Sequence, residues 1–387
     1  MTERAYFDWN ATAPLREEAR AAVVEALGAT GNASSVHAEG RAARRLVEDA
    51  RAEVAGLVGA EPKNVTFTSG ATEANMLALT PMLEAGPEKA PRDRLFVSTV
   101  EHPSVLGGGR FAQEQVSKLG VDANGVIDLT ALEQALAEVE RPLVSVMLAN
   151  NETGVIQPIA KIAEIVHQAG GLLHVDAVQA PGRIACDMAE LGADLMSLSA
   201  HKLGGPQGVG ALITRGDIRI AEPLIRGGGQ ERFVRAGTEN VAGIAGFGAA
   251  AAAVRATGEA DAGRMAVLRA QLEAGLKAAT PEILIFGADV PRLPNTTLVA
   301  VPGLKAETAI IAFDLNGIAL SSGAACSSGK VAASHVLAAM GVQPDLARGA
   351  LRVSLGRTTS EAAVEQFLGT WIMLAGSLVK EKRELAA

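Results

Sequence analysis

Apolar residues in this chain fall into short unbroken runs separated by longer stretches of helical spacing. "NVTFT" (64–68), "RLFVSTV" (94–100), "LVSVMLA" (143–149), "LLHVD" (172–176), "DLMSLS" (194–199) and "VGALIT" (209–214) are the runs. They do not alternate with polar positions, which is the pattern of strands buried on both faces. Between them, "ATEANMLALTPMLEAG" and "IAKIAEIVHQAG" place apolar residues at helical intervals, each with a glycine where a helix would stop. Strands alternating with helices predict a mostly parallel sheet covered by helices on both sides. Ligands of such sheets gather at the carboxyl ends of the strands, so the polar residues just past each run are the candidates for chemistry.

From about residue 240 to 280 the chain is alanine-rich and predicts a long helix leading to a second unit. "PNTTLVAVPG", "GIALSSG" and "ALRVSLG" follow as strand candidates among further helical stretches. This part predicts a smaller α+β unit. No internal repeat is visible.

Composition narrows the class. The chain has 387 residues, 48% of them hydrophobic, so there is ample material for a core. Aromatics are only 3%, which leaves the core to Ala, Val, Leu and Ile. A formal charge of -8 argues against a nucleic-acid partner, which needs a basic field. Two cysteines make no disulfide framework, and no His/Cys cluster has metal-site spacing. The start, "MTERAYFDWNATAPL", carries charges early and no apolar run of a secretory signal. The apolar window 241–254, "VAGIAGFGAAAAAV", is shorter than the ~20 residues a membrane span needs. The expectation is a cytoplasmic protein with no membrane or nucleic-acid partner.

Past the run at 64–68, "TSGATEAN" opens a helix with small residues and a hydroxyl. Free N–H groups and the helix dipole make such a start attractive to an anion, although an ordinary N-cap has the same look. "STVEHPSV" puts His102 past the next run, and "ANNETG" puts Asn151 past the one after. "HVDAVQ" supplies Asp176 and Gln179, and "SLSAHKLGGPQGVG" supplies Ser199, His201 and Lys202. A lysine there is costly to bury unless it is neutral or covalently engaged. One ligand accounts for the set. Pyridoxal 5'-phosphate needs a lysine amine, a carboxylate for its pyridine nitrogen, an anion site and a flat group over its ring. Lys202, Asp176, the turn at 70–72 and His102 supply them in turn.

Together with "YFDWNATAPL", "GNASSVHAEGR", "NNETGVIQPI", "GGGQERFVRAGTEN", "LPNT", "SSGAACSSG" and "LRVSLGR", these motifs run almost end to end. The chain resembles the cysteine desulfurases of nitrogen fixation and iron–sulfur cluster assembly. That resemblance implies an α/β protein of fold-type I, a pyridoxal-phosphate-dependent transferase. It would have a large domain, with a mostly parallel seven-stranded sheet, over 15–255. Residues 1–14 and 256–387 would form a small α+β domain carrying a cysteine loop at about 321–333.

It further implies that Lys202 links to the cofactor, Asp176 meets the pyridine nitrogen and Gln179 the phenolic oxygen. His102 would stack on the ring and handle protons. Ala71, Thr72, Ser199 and His201 would surround the phosphate, and Thr238 would reach in from a second subunit of a homodimer with shared sites. Asn151 would touch cofactor and substrate, and Arg352 would clamp the carboxylate of L-cysteine with its guanidinium fork. Cys326, set among small residues in "SSGAACSSGK", would take the sulfur on a mobile loop and leave alanine behind. A sulfur-acceptor protein, such as a cluster scaffold or a transfer-RNA thiolation relay, would then take it. Cys186, in "GRIACDMAE", reads as a small buried hydrophobe.

Three features depart from the family pattern: "SSGKVAASHVL" after the cysteine, Trp9 near the start, and an ending at "VKEKRELAA" without a longer tail. The rivals are a selenocysteine lyase, an aminotransferase, which has no use for Cys326, and a catalytically silent sulfur-relay partner.

Overall fold

The computed structural model describes residues 4–87, 89–323 and 334–378, with side chains of the last helix described as far as residue 374. The predicted runs become strands of one seven-stranded sheet. These are β1 (Val65–Thr68), β2 (Arg94–Ser98), β3 (Val116–Leu119), β4 (Pro142–Met147), β5 (Leu172–Asp176), β6 (Leu195–Ser199) and β7 (Gly210–Thr214). Their order across the sheet is β1-β7-β6-β5-β4-β2-β3. Strands β2 to β6 pair in parallel, and only β7 is reversed, antiparallel to both β1 and β6. The α/β class with a mostly parallel sheet is as the sequence predicts.

The unbroken apolar runs have a direct cause. Leu143, Leu195 and Leu212 enter one core, while their neighbours Val144, Met196 and Ile213 enter the core on the opposite face. Helices α1 (Glu17–Gly28) and α2 (Ala38–Leu57) precede the sheet. α3 (Ala71–Ala78), α4 (Pro103–Leu106), α5 (Leu129–Leu136) and α6 (Ile159–Gln168) follow strands in sequence. Strand β3 escapes the sequence reading because "VSKL" is a short edge strand with Lys118 exposed, a pattern that resembles a loop.

The helix predicted across "ATEANMLALTPMLEAG" is shorter in the structure. α3 stops at Ala78, and Leu83–Ala85 is instead a strand paired antiparallel with Ile218–Ile220. Thr80 precedes Pro81, and the residue before a proline is driven out of the α region.

The alanine-rich stretch is one helix, Val241–Ala279, of 39 residues. The apolar window 241–254 is the first part of this helix, which by length and composition alone could cross a membrane. Its apolar side is occupied otherwise. Ile244, Phe247, Ala251 and Val254 join the core of the seven-stranded sheet, and Met265, Leu268, Leu272 and Leu276 join a second core. Gly248 is required where the helix crosses α2, because a Cβ there would stand 2.5 Å from Ala50 Cα.

The second core lies under an antiparallel sheet of β8 (Leu284–Ile285), β9 (Thr296–Ala300) and β10 (Leu351–Ser354). Ala5–Tyr6 pairs in parallel with Ile318–Ala319, which ties the first described residues to this part. The few aromatics are concentrated here. Phe367 meets Phe7 edge-on at 5.3 Å and stacks on Phe313 at 5.0 Å between ring centres.

Candidate active site

The carboxyl ends of β2, β4, β5 and β6 open into one cavity of about 940 Å³. Asp176 is the last residue of β5 and lines it. Asn75 Nδ2 donates to Asp176 Oδ2 at 2.9 Å, and the Val178 amide donates to Oδ1 at 3.1 Å. The carboxylate is thereby held in place by neutral donors from α3 and from the turn that follows β5.

Lys202 ends a single 3-10 turn, Ala200–Lys202, directly after β6. Its Nζ donates to the carbonyls of Asn10 at 2.5 Å and Ala11 at 2.8 Å. Burial, then the charges of Arg352 and Arg183, push this amine down to about 7, against the pull of Asp8 and Asp176. A lysine so tuned has a large neutral fraction near neutral pH, as a nucleophilic amine requires.

His102 caps α4, its Nδ1 accepting from the Ser104 amide at 3.2 Å. Burial lowers its pKa, with Lys202 and His335 adding to the effect and Asp176 opposing it. The neutral ring thus favoured suits proton exchange at the cavity wall. Ala71 and Thr72 form the first turn of α3, which has no side-chain cap, so its amides stay open toward the cavity. Ser199 and His201 line the same cavity. His201 pairs with Thr12 Oγ1 at 3.2 Å, and burial followed by the Lys202 charge pushes it down to about 4.

Gln179 Nε2 donates to the Asn10 carbonyl at 3.1 Å, while its Oε1 accepts from Arg183. Arg352, on β10, is 2% exposed and lines the cavity from the small sheet. Its Nη2 donates to Asp8 Oδ1 at 2.7 Å and Nη1 to the Asn151 carbonyl at 3.0 Å, and its buried Nε has no partner among the described residues. Asn151 lines the cavity beside it. Thr238 does not line this cavity and is exposed on the same chain. Cys326 lies outside the described residues, within 324–333.

The donor set suits pyridoxal 5'-phosphate. An uncapped helix start with Ser199 and His201 offers an anion cradle. A fixed carboxylate stands ready for a ring nitrogen, and an amine of lowered pKa can condense with an aldehyde. The cavity is large enough to take a cofactor together with an amino acid.

The family model for Aminotransferase class-V matches residues 5–367. The chain belongs to this family. Class-V aminotransferases depend on pyridoxal 5'-phosphate, in keeping with the cavity. Among similar proteins, a cysteine desulfurase of Cereibacter sphaeroides is 43% identical over 372 residues, covering 95% of this chain and 94% of its own. An IscS-like cysteine desulfurase of Mycobacterium tuberculosis is 40% identical, over 99% of this chain and 98% of its own. The crystal structure of a NifS-like protein from Rickettsia africae superposes with a TM-score of 0.86 at 35% identity, covering 97% of this chain and 100% of that one.

Several residues of this class-V site are not singled out by sequence reasoning. Asn10 is buried and fully engaged: its carbonyl takes Lys202 and Gln179, its Nδ2 donates to the Asn151 carbonyl and to Thr296 Oγ1, its Oδ1 accepts from Asn295 Nδ2, and its amide donates to Ser354 Oγ. Asp8 holds Arg352, as above. Glu101 is fully buried; Met147 N donates to its Oε1 at 2.8 Å, and burial raises its pKa well above the carboxylate range. Glu152 lines the cavity, accepts from Ser334 Oγ, and is also raised by burial. His335 donates from Nε2 to the Glu101 carbonyl at 2.9 Å. The only sequence signal for Asn10 and Asp8 is a polar residue between "YF" and "ATAPL", far from any predicted strand of the large sheet.

Proposed function

We propose that this class-V protein is a cysteine desulfurase, removing sulfur from L-cysteine to give L-alanine. The observation that carries the reading is the convergence of Lys202, Asp176 and Arg352 on one cavity, in a chain about 40% identical to cysteine desulfurases over nearly its full length. When bound, pyridoxal 5'-phosphate supplies an aldehyde that condenses with amines and a ring that withdraws electrons from the amino-acid Cα.

This chain's own residues do the rest. Arg352 binds the substrate carboxylate through its fork, held at the right angle by Asp8 and the Asn151 carbonyl. Lys202, a large fraction of it neutral near pH 7, takes the Cα proton, and His102 exchanges a proton from the cavity wall. Asp176, fixed by Asn75, holds the ring nitrogen. Ala71, Thr72, Ser199 and His201 hold the phosphate, with Thr238 of a second copy completing it in a cytoplasmic homodimer. The Cys326 thiolate attacks the substrate sulfur. An S–S bond forms, the Cβ–S bond breaks, and its electron pair stays on Cβ, which gains a proton to become the alanine methyl. A thiol of an acceptor protein then removes the outer sulfur for iron–sulfur cluster assembly or another thiolation route. Residues 15–255 form the large domain in this reading, and 1–14 with 256–387 the small one.

The test is the reaction itself. The holoenzyme given L-cysteine and a thiol reductant is expected to release alanine and sulfide in equal amounts. Cys326→Ala is expected to keep the cofactor absorbance and lose sulfide release. Undiminished sulfide from that variant would sink the reading.

A further inference from the structure

A second, small cavity lies behind the lysine. It measures about 40 Å³, and Lys202 is the one residue among the described ones that lines both it and the large cavity. Among the described residues its wall carries three further cations, Arg16, Arg183 and Arg357, and a single carboxylate, Asp261. Trp9 closes one side, with the Arg357 guanidinium 5.8 Å from the centre of its ring.

The charges on this wall do not balance. Asp261 is shared, at 3.8 Å from Arg16 Nη2 and 3.5 Å from Arg264 Nη2, and also accepts from Thr257. Arg183 is 8% exposed and has no carboxylate partner among the described residues; its Nη1 donates only to Gln179. Arg357 donates to the carbonyls of Pro14 and Leu15. Arg16 is likewise 8% exposed and gives its Nε to the Leu203 carbonyl. A buried guanidinium without a counter-charge, as Arg183 is, is costly, and a cation cluster around a void lowers that cost by taking in an anion. The size sets the class. One water needs about 10–15 Å³ of such space, so the chamber holds a few waters or one compact anion.

We propose that this chamber is a binding site for a small monovalent inorganic anion of chloride size, held by Arg16, Arg183 and Arg357 behind Lys202. The site is separate from the anion cradle at α3, and its existence does not depend on which amino acid the large cavity takes. An anion in it sets a negative charge against Arg183, one of the two cations that push the Lys202 amine down; Arg352 is the other, while Asp8 and Asp176 pull it up. Burial and the Arg352 charge also lower Arg183 itself, to about 9, in keeping with a cation that lacks a partner.

The experiment is chloride-35 NMR on the holoenzyme, with pyridoxal phosphate filling the α3 cradle. Potassium chloride is titrated against potassium gluconate at constant ionic strength. Saturable excess line broadening is expected in the unaltered protein, and its loss in Arg183→Gln. Arg16→Gln serves as the second variant should the first fail to fold by circular dichroism, and the same loss is expected. A chamber filled only by water gives no saturable broadening, and broadening that is equal in the variants places chloride elsewhere. Either result overturns the assignment.

Discussion

Lys202 makes the clearest statement at the scale of single residues. Its amine is held to about 7 in the folded chain, against roughly 10.4 when exposed. Between those values the unfolded chain carries a proton that the folded chain has released. Stability from this group therefore rises with pH across that window and is lost as pH falls through it, on the order of a few kcal/mol. Before cofactor is added, Lys202→Met is expected to flatten the dependence of stability on pH from about 7 to 10, followed by urea denaturation. An unchanged slope would show that the amine is not depressed. Arg352 gives a second case. A lysine keeps the charge but not the fork, so Arg352→Lys is expected to raise KM for cysteine roughly tenfold or more, with a smaller effect on kcat. Equal KM values would remove Arg352 from the substrate carboxylate.

Two contacts between elements show how strain and close approach are built in. Glu231, Arg232 and Phe233 have φ of 44°, 54° and 68°, a left-handed run that non-glycine residues avoid. What holds it is a buried bidentate pair, Glu231 with Arg51 at 2.7 and 2.9 Å, together with the Phe67 amide at 3.0 Å. Glu231→Ala takes from the buried Arg51 its bidentate partner and leaves it only the half-exposed Glu48 at 3.1 Å, and is expected to cost about 3 kcal/mol. Pairing it with Arg51→Met should recover part of that loss in a double-mutant cycle; strict additivity would mean that the two do not act together. The second contact answers the oddity of Trp9. Its ring lies where a Cβ on Gly356 would stand, 1.8 Å from Trp9 Cδ2. Gly356→Ala is expected to destabilise by about 1–3 kcal/mol on its own, and by much less when introduced into a chain that already carries Trp9→Ala.

Across the whole molecule, one helix joins two cores. Val254 belongs to the first core and Met265 to the second, so the stretch between them carries the mechanical link. Thr257→Pro removes a helical hydrogen bond there, at about 3 kcal/mol. It is expected to split thermal unfolding into two calorimetric transitions. A single transition at the original temperature would mean that the cores are coupled by other contacts. Arg352 on β10 and Asn10 near the chain start reach the large cavity from the small-sheet side, so the same variant should weaken cysteine binding as well.

Much of this was legible in the chain itself. Runs buried on both faces have no polar alternation, so β1, β2 and β4 to β7 could be read directly, and with them Asp176, His102 and Lys202 at their ends. Edge strand β3 could not, because Lys118 is exposed and Ser117 is polar, which leaves little apolar signal. The helix over 71–78 was overextended because its periodicity continues past a proline whose local geometry ends it. The partners of the site residues were beyond sequence reasoning for a different cause. Asp8 meets Arg352 across 344 positions and Arg16 faces Arg183 across a void, and such approaches exist only once two cores have packed. Sequence determined which chemical groups stand at the strand ends, since periodicity is local. Only the folded chain decided their charge states and partners, because burial and distance between remote segments are properties of packing.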